Sequence, residues 1–159
     1  MKPQKALFLD RDGIINIDSG YVHTKAYFVF SKGIFDLLKL FIQQGYLLFI
    51  VTNQSGIGRG YYTLKDFEIL TEWMIKQLAD KGIEIQSVMH CPHLSKDACH
   101  CRKPQIGMIE SILKNYSIDL NHSWLIGDKQ SDIDLARNSH ILSHYLYRPK
   151  SHNTSPISV

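Results

Sequence analysis

The sequence predicts an α/β fold: a Rossmann-like parallel sheet with helices on both faces. Three observations predict it. Short apolar runs recur along the chain, each of strand length. Between them lie stretches whose apolar residues recur every three or four positions, the mark of amphipathic helices. Asp10, Thr52, Cys91 and Asp128 stand at or just after the ends of four runs. Ligands of open parallel sheets bind outside the carboxyl ends of the strands, so four such residues on one rim point to a site there.

The elements follow in order. "KALFLD" (5–10) is the first strand. Ile34, Leu37, Leu38, Phe41 and Ile42 form one helical face, and Gly45 closes that helix. "YLLFIVT" (46–52) is the second strand. Thr63 and Asp66 stand in capping-box relation at the start of a helix that carries Phe67, Leu70, Met74 and Leu78 on one face and ends near Gly82. "IQSVMH" (85–90) is the third strand, and Ile109, Ile112, Leu113 and Tyr116 mark the next helix. "SWLIGD" (123–128) is the fourth strand, with a short helix at 131–138 and a fifth strand at 141–147.

A chain of 159 residues suits one domain with one core, here 1–150, followed by a polar tail at 151–159. Apolar residues at 44% and charged residues at 21% exclude the disordered class. A net charge of +3 on scattered basic residues suits a small anionic substrate, and no nucleic acid partner is expected. The richest apolar stretch, "IFDLLKLFI", is broken by Asp36 and Lys39, so no membrane partner is expected either. The N-terminus does not read as a signal peptide, and three clustered cysteines are not a disulfide framework. A cytoplasmic monomer is the expectation.

"FLDRDGIIN" puts Asp10 and Asp12 two apart at a strand end, where alternate residues share a face. Two carboxylates so placed call for a cation, and Mg²⁺ accepts a few carboxylates while keeping waters and phosphate oxygens. A solvated acidic turn is the alternative for this pair. "TNQSGIGRG" offers the Thr52 hydroxyl, the Asn53 amide and a glycine-rich turn, but is no dinucleotide fingerprint, because Tyr61 stands where that pattern needs glycine. In "GDKQSD", Asp128 is a candidate metal ligand, and Asp132 is either part of the site or a helix cap. Lys103 is a candidate cation for a phosphoryl group.

Cys91, His93, Cys99 and Cys101 have the spacing C-x-H-x₅-C-x-C. Three thiolates and one imidazole complete a closed tetrahedral Zn²⁺ shell, which reads as structural; His90 and His100 are spare, and free buried cysteines are the alternative. Arg102 and Lys103 follow Cys101 directly, so a metal that fixes Cys101 fixes the backbone carrying both cations.

Taken together and in order, "DRDG", "TNQSG", "CRKP" and "GDKQSD" resemble the four motifs of the haloacid dehalogenase-like phosphatases, over about 5–147. "DRDGIIN", "DSGYVH", "VTNQSGIGRG" and the cysteine loop are most similar to the branch that contains heptose bisphosphate and histidinol-phosphate phosphatases. The resemblance implies that Asp10 is the nucleophile and Asp12 the general acid and base. It implies that Mg²⁺ is held by the side chains of Asp10 and Asp128 and the carbonyl of Asp12, and that Thr52 and Lys103 hold the phosphoryl oxygens. Arg102 would reach a second anionic group, and Asp18, Ser19, Gly20, Tyr21, Asn53, Gln54, Ser55 and Lys129 would line the substrate pocket. The implied substrate is a small phosphorylated sugar, a heptose 1,7-bisphosphate cut at C7, whose product feeds heptose-containing glycoconjugates. Histidinol phosphate or a DNA 3′-phosphate are the alternatives.

Many relatives carry a separate cap domain, but about twenty residues between Asp10 and the first helix are too few for one. The loops at 16–30, 54–62 and 91–105 are therefore expected to cover the site. The short zinc loop is similar to the histidinol-phosphate branch, whereas "DSGYVH" and "GRGYYT" are similar to the heptose branch. His140 replaces a glycine usual before the last strand, which predicts a different turn, and the tail lacks the usual final helix. The non-enzymatic alternative is a zinc-stabilised binding module, which intact Asp10, Asp12, Thr52, Lys103 and Asp128 argue against.

Overall fold

The run "ALFL" forms strand β1, Ala6–Leu9, with all four side chains buried, as a strand covered on both faces must be. The computed structural model describes residues 2–148, so the tail expected at 151–159 lies outside the described residues. Around β1 the chain lays down α1 (Ile34–Gln43), β2 (Leu47–Asn53), the single-turn α2 (Ser55–Gly58) and α3 (Leu64–Asp80). It continues with β3 (Ser87–Cys91), α4 (Gly107–Leu113), β4 (Trp124–Gly127), α5 (Gln130–Asn138) and β5 (Ser143–Leu146). The strands form one sheet in the order β3-β2-β1-β4-β5, all neighbours parallel, with Phe8 aligned to Phe49 on one side and Leu125 on the other.

Alternation along the strands divides the core in two. Leu7, Leu9, Leu48, Ile50 and Ile126 face α1 and α3, where Ile34, Leu38, Leu70, Met74 and Leu78 pack on them. Ala6, Phe8, Phe49, Val51 and Leu125 face α4 and α5 through Met108, Ile109, Ile112, Leu135 and Ala136. The helices thus cover both faces, as the sequence predicts. Helix α3 starts on the expected capping box: Asp66 N donates to Thr63 Oγ1 at 3.1 Å, and Thr63 N donates to Asp66 Oδ2 at 2.9 Å. Gly45 ends the α1 connection with φ 87°.

One local expectation changes. Helix α4 ends at Leu113, and Tyr116 lies beyond it, yet its ring still packs edge-on against Phe49 at 4.9 Å. At the turn before β5, His140 adopts φ 59°, in the left-handed region that glycine favours, and Ile141 after it reaches the core at 3% exposure. No second domain stands over the sheet among the described residues. None of their helices is long and apolar enough to cross a membrane.

Candidate active site

At the carboxyl end of the sheet lies a cleft of about 360 Å³. Its walls come from the three loops expected to cover it: Asp18, Gly20 and Tyr21 from the first, Gln54, Ser55 and Tyr62 from the second, Arg102 and Lys103 from the third. Asp10, Asp12, Asn53 and Lys129 line it as well. Of the residues expected here, Ser19, Thr52 and Asp128 are not part of that wall. Thr52 is fully buried, and its hydroxyl accepts from Gln54 Nε2 at 2.9 Å. Ser131 lines the cleft without having been assigned to it, and Asp132, left open between site and helix cap, lines it as well.

Lys103 organises the floor. Its buried ammonium donates to Val51 O at 2.9 Å, pairs with Asp10 Oδ1 at 3.0 Å and donates to Asp132 Oδ1 at 2.7 Å. Desolvation alone favours the neutral amine, but the Asp10 and Asp132 charges outweigh it and raise the Lys103 pKa. Burial raises that of Asp10, although the Lys103 charge pulls the other way. Asn53 fixes the backbone of this lysine: Lys103 N donates to Asn53 Oδ1 at 3.0 Å. Asp132 plays both roles left open by the sequence, since its second oxygen accepts from Lys129 N at 3.2 Å at the start of α5.

Asp10 and Asp12 are not the alternate residues of one strand that the sequence predicts. Strand β1 ends at Leu9, and Asp12 lies past it in a turn. Its carboxylate accepts from Arg11 Nη2 at 2.9 Å, Asn16 Nδ2 at 3.0 Å and Gln54 Nε2 at 3.0 Å. Tyr62 OH donates to Gln54 Oε1, which fixes the amide so that its NH₂ faces Asp12 and Thr52. Arg11, Asn16 and Tyr62 are the residues that sequence reasoning missed. The only signal was an arginine between two aspartates, and nothing in the sequence says that it is buried.

The carboxylate pair that calls for a cation is Asp10 with Asp128. Carboxylate oxygens of Asp10, Asp128 and Asp132 lie within 4.8 Å of one another, and Lys103 already serves Asp132. Asp128 Oδ1 is buried without a hydrogen-bond partner; Lys129 Nζ stands 3.7 Å away. Burial, reinforced by the Asp10 charge, pushes the Asp128 pKa up to about 6. Gly13, at φ 92°, leaves the space that Asp128 fills, since a Cβ there would collide with Asp128 Oδ2. An orphaned buried carboxylate oxygen beside a second carboxylate fits a hard divalent cation such as Mg²⁺.

The cysteine loop also gathers as expected. One ligand atom each from Cys91, His93, Cys99 and Cys101 lies within 4.8 Å of the others. Cys91 Sγ is 3.4 Å from His93 Nδ1 and 3.6 Å from Cys99 Sγ; Cys101 Sγ is 3.3 Å from His93 Nδ1 and 3.8 Å from Cys99 Sγ. Thiolates about 2.3 Å from a tetrahedral zinc sit about 3.7 Å apart, so these separations fit one ion. The sulfurs of Cys91 and Cys101 stand in disulfide contact, which departs from that geometry and leaves Cys99 as a free thiol. Cys99 Sγ accepts from Arg102 N at 3.3 Å, and Arg102 Nη1 donates to His93 O at 3.2 Å. The cluster therefore holds the cation at the cleft wall from both ends.

The sequence matches the family model described as polynucleotide kinase 3 phosphatase over residues 6–152. It is 48% identical over 147 residues to a D-glycero-β-D-manno-heptose-1,7-bisphosphate 7-phosphatase of Helicobacter pylori, spanning 92% of this chain and 85% of that one. It is 48% identical over 137 residues to the corresponding α-anomer phosphatase of Campylobacter jejuni, spanning 86% and 78%. Among solved structures, a D,D-heptose 1,7-bisphosphate phosphatase from B. bronchiseptica, complexed with magnesium and phosphate, superposes with a TM-score of 0.80 at 29% identity, covering 89% of this chain and 79% of that one.

Proposed function

The chain belongs to the polynucleotide kinase 3 phosphatase family, with the fold of the haloacid dehalogenase-like phosphatases, and on that premise we propose that it removes the C7 phosphate of D-glycero-D-manno-heptose 1,7-bisphosphate in a Mg²⁺-dependent reaction through a phosphorylated Asp10. The observation that carries this reading is the floor of the cleft. There a buried carboxylate, paired with a buried ammonium, lies beside an unpartnered carboxylate oxygen. The names of the similar enzymes support the heptose. So does the wall, where Arg102 and Lys129 offer charge to a second phosphate.

In this reading an Asp10 oxygen attacks phosphorus as the bond to the C7 oxygen breaks. Asp12 gives its proton to that leaving oxygen, then takes one from the water that attacks the phosphorylated Asp10 and frees inorganic phosphate. Lys103 meets the charge on the phosphoryl oxygens. Thr52 is the second donor, since its hydroxyl proton makes only a long 3.4 Å contact with Asn53 O. Asp10, Asp128 and the Asp12 carbonyl are the residues that would hold Mg²⁺, which when bound offsets the phosphoryl and carboxylate charges. The test is phosphate release, with and without Mg²⁺, from the heptose bisphosphate, histidinol phosphate and a DNA 3′-phosphate. Mg²⁺-dependent preference for the heptose is expected. Preference for either other substrate withdraws the assignment, and release without Mg²⁺ overturns the mechanism.

Two further results are expected. Asp128 binds a proton below about pH 6 in the metal-free protein, and Mg²⁺ must displace it. Mg²⁺ affinity should therefore fall as pH is lowered below about 6, approaching tenfold per pH unit, and level off above it. Titrating thermal stability with Mg²⁺ at several pH values checks this, and a flat affinity from pH 5 to 7 counts against Asp128 as a ligand. Cys99→Ser is expected to release bound zinc, loosen the loop that carries Arg102 and Lys103, and lower kcat/KM by about 10- to 100-fold. Zinc content and turnover are read together. A loop held by a Cys91–Cys101 disulfide predicts instead that Cys99→Ser leaves turnover unchanged.

A further inference from the structure

Arg11 is 1% exposed and takes no part in the cleft wall. Its guanidinium lies near the rings of Phe28 and Phe67, at 6.0 and 5.8 Å. Nη2 donates to Asp12 Oδ1 at 2.9 Å and Oδ2 at 3.2 Å, and Nε donates to Oδ1 at 3.2 Å. The same Nη2 donates to Val22 O at 2.7 Å. Asp12 is its only carboxylate partner among the described residues. Its backbone N–H donates to Asp10 Oδ1 at 2.8 Å.

A buried arginine carries a large desolvation cost, and an aromatic pocket of this kind is filled at less cost by an apolar side chain. Packing alone does not call for the charge. The guanidinium instead joins two things that the chemistry needs together. One is the carboxylate that must meet the leaving oxygen. The other is Val22, the residue directly after the pocket segment Asp18–Tyr21. We propose that Arg11 is a positioning residue, which sets the Asp12 carboxylate in its proton-transfer orientation and ties that orientation to the 18–22 substrate loop. This rests on the phosphatase reading above. The Arg11 guanidinium lines no part of the cleft; it acts through Asp12.

The test uses leaving groups. A sugar alkoxide needs a proton as it departs, whereas 4-nitrophenolate does not. kcat/KM, which reports formation of the phosphorylated enzyme, is measured on heptose 1,7-bisphosphate and on 4-nitrophenyl phosphate for wild type, Asp12→Asn, Arg11→Met and Arg11→Lys. Arg11→Met is expected to lose about 100-fold on the sugar and less than about threefold on the aryl ester, the same selectivity as Asp12→Asn. It should also raise KM for the sugar, which Asp12→Asn should not, because only Arg11 holds the loop. Arg11→Lys keeps the charge without the fork, and is expected to show the same selectivity at smaller amplitude. It decides the question if Arg11→Met does not fold. Equal losses on both substrates, or no loss on either, would make Arg11 a packing residue and overturn the proposal. If wild type releases nothing from the heptose, the functional reading fails instead, and histidinol phosphate, also an alkyl ester, takes the sugar's place in the same comparison.

Discussion

Asp10→Asn is expected to abolish phosphate release, by at least about 10⁴-fold, while the protein stays folded. The amide matches the carboxylate in shape but cannot act as the attacking oxygen. Burial raises the Asp10 pKa, so its charge is held there at a cost that asparagine avoids. Lys103 keeps Asp132 as a partner at 2.7 Å, so the substitution does not strand a buried cation. Phosphate release and a thermal melt on the same preparation check both halves. Turnover within tenfold of wild type would refute the phosphorylated Asp10.

Lys103→Met has the second large effect, and it falls on stability as well as rate. It removes the ammonium that Asp10, Asp132 and Val51 O share. Asp10 and Asp132, at 4% and 1% exposure, are then left near each other without the buried ammonium that pairs with both. Breaking a buried pair in this way costs about 3–5 kcal/mol. Turnover is expected to fall by about 10³-fold, since the phosphoryl group loses its cation. The double variant Lys103→Met/Asp132→Asn separates the two effects. Stability should largely return, because one stranded charge is gone, and turnover should not. Recovery of turnover with stability would show that Lys103 is only structural.

The sheet and its functional rim are legible in the sequence because strand burial writes itself as apolar runs. "ALFL" and "LFIVT" are buried on both faces and so read as unbroken apolar runs of strand length. The side-chain directions at the rim are less legible. Asp12 reads as a same-face neighbour of Asp10 only if the strand continues, and it stops at Leu9; one turn of chain sends the carboxylate to Arg11. Asp132 offers two readings in sequence because a helix cap and a lysine partner need the same residue type, and it serves both. Thr52 is correctly placed at a strand end, but its bond comes from a Gln54 amide that Tyr62, ten residues on, fixes. The cysteine spacing marks the loop cluster, since few other patterns concentrate soft ligands so closely.

The most direct test of the central claim follows the two phosphorus atoms of D-glycero-D-manno-heptose 1,7-bisphosphate by ³¹P NMR during turnover with Mg²⁺. The C7 phosphomonoester signal should decay into inorganic phosphate at a rate that Asp10→Asn removes, while the C1 phosphate signal stays intact. Loss of the C1 signal first, or decay of neither while histidinol phosphate is hydrolysed, would contradict the account.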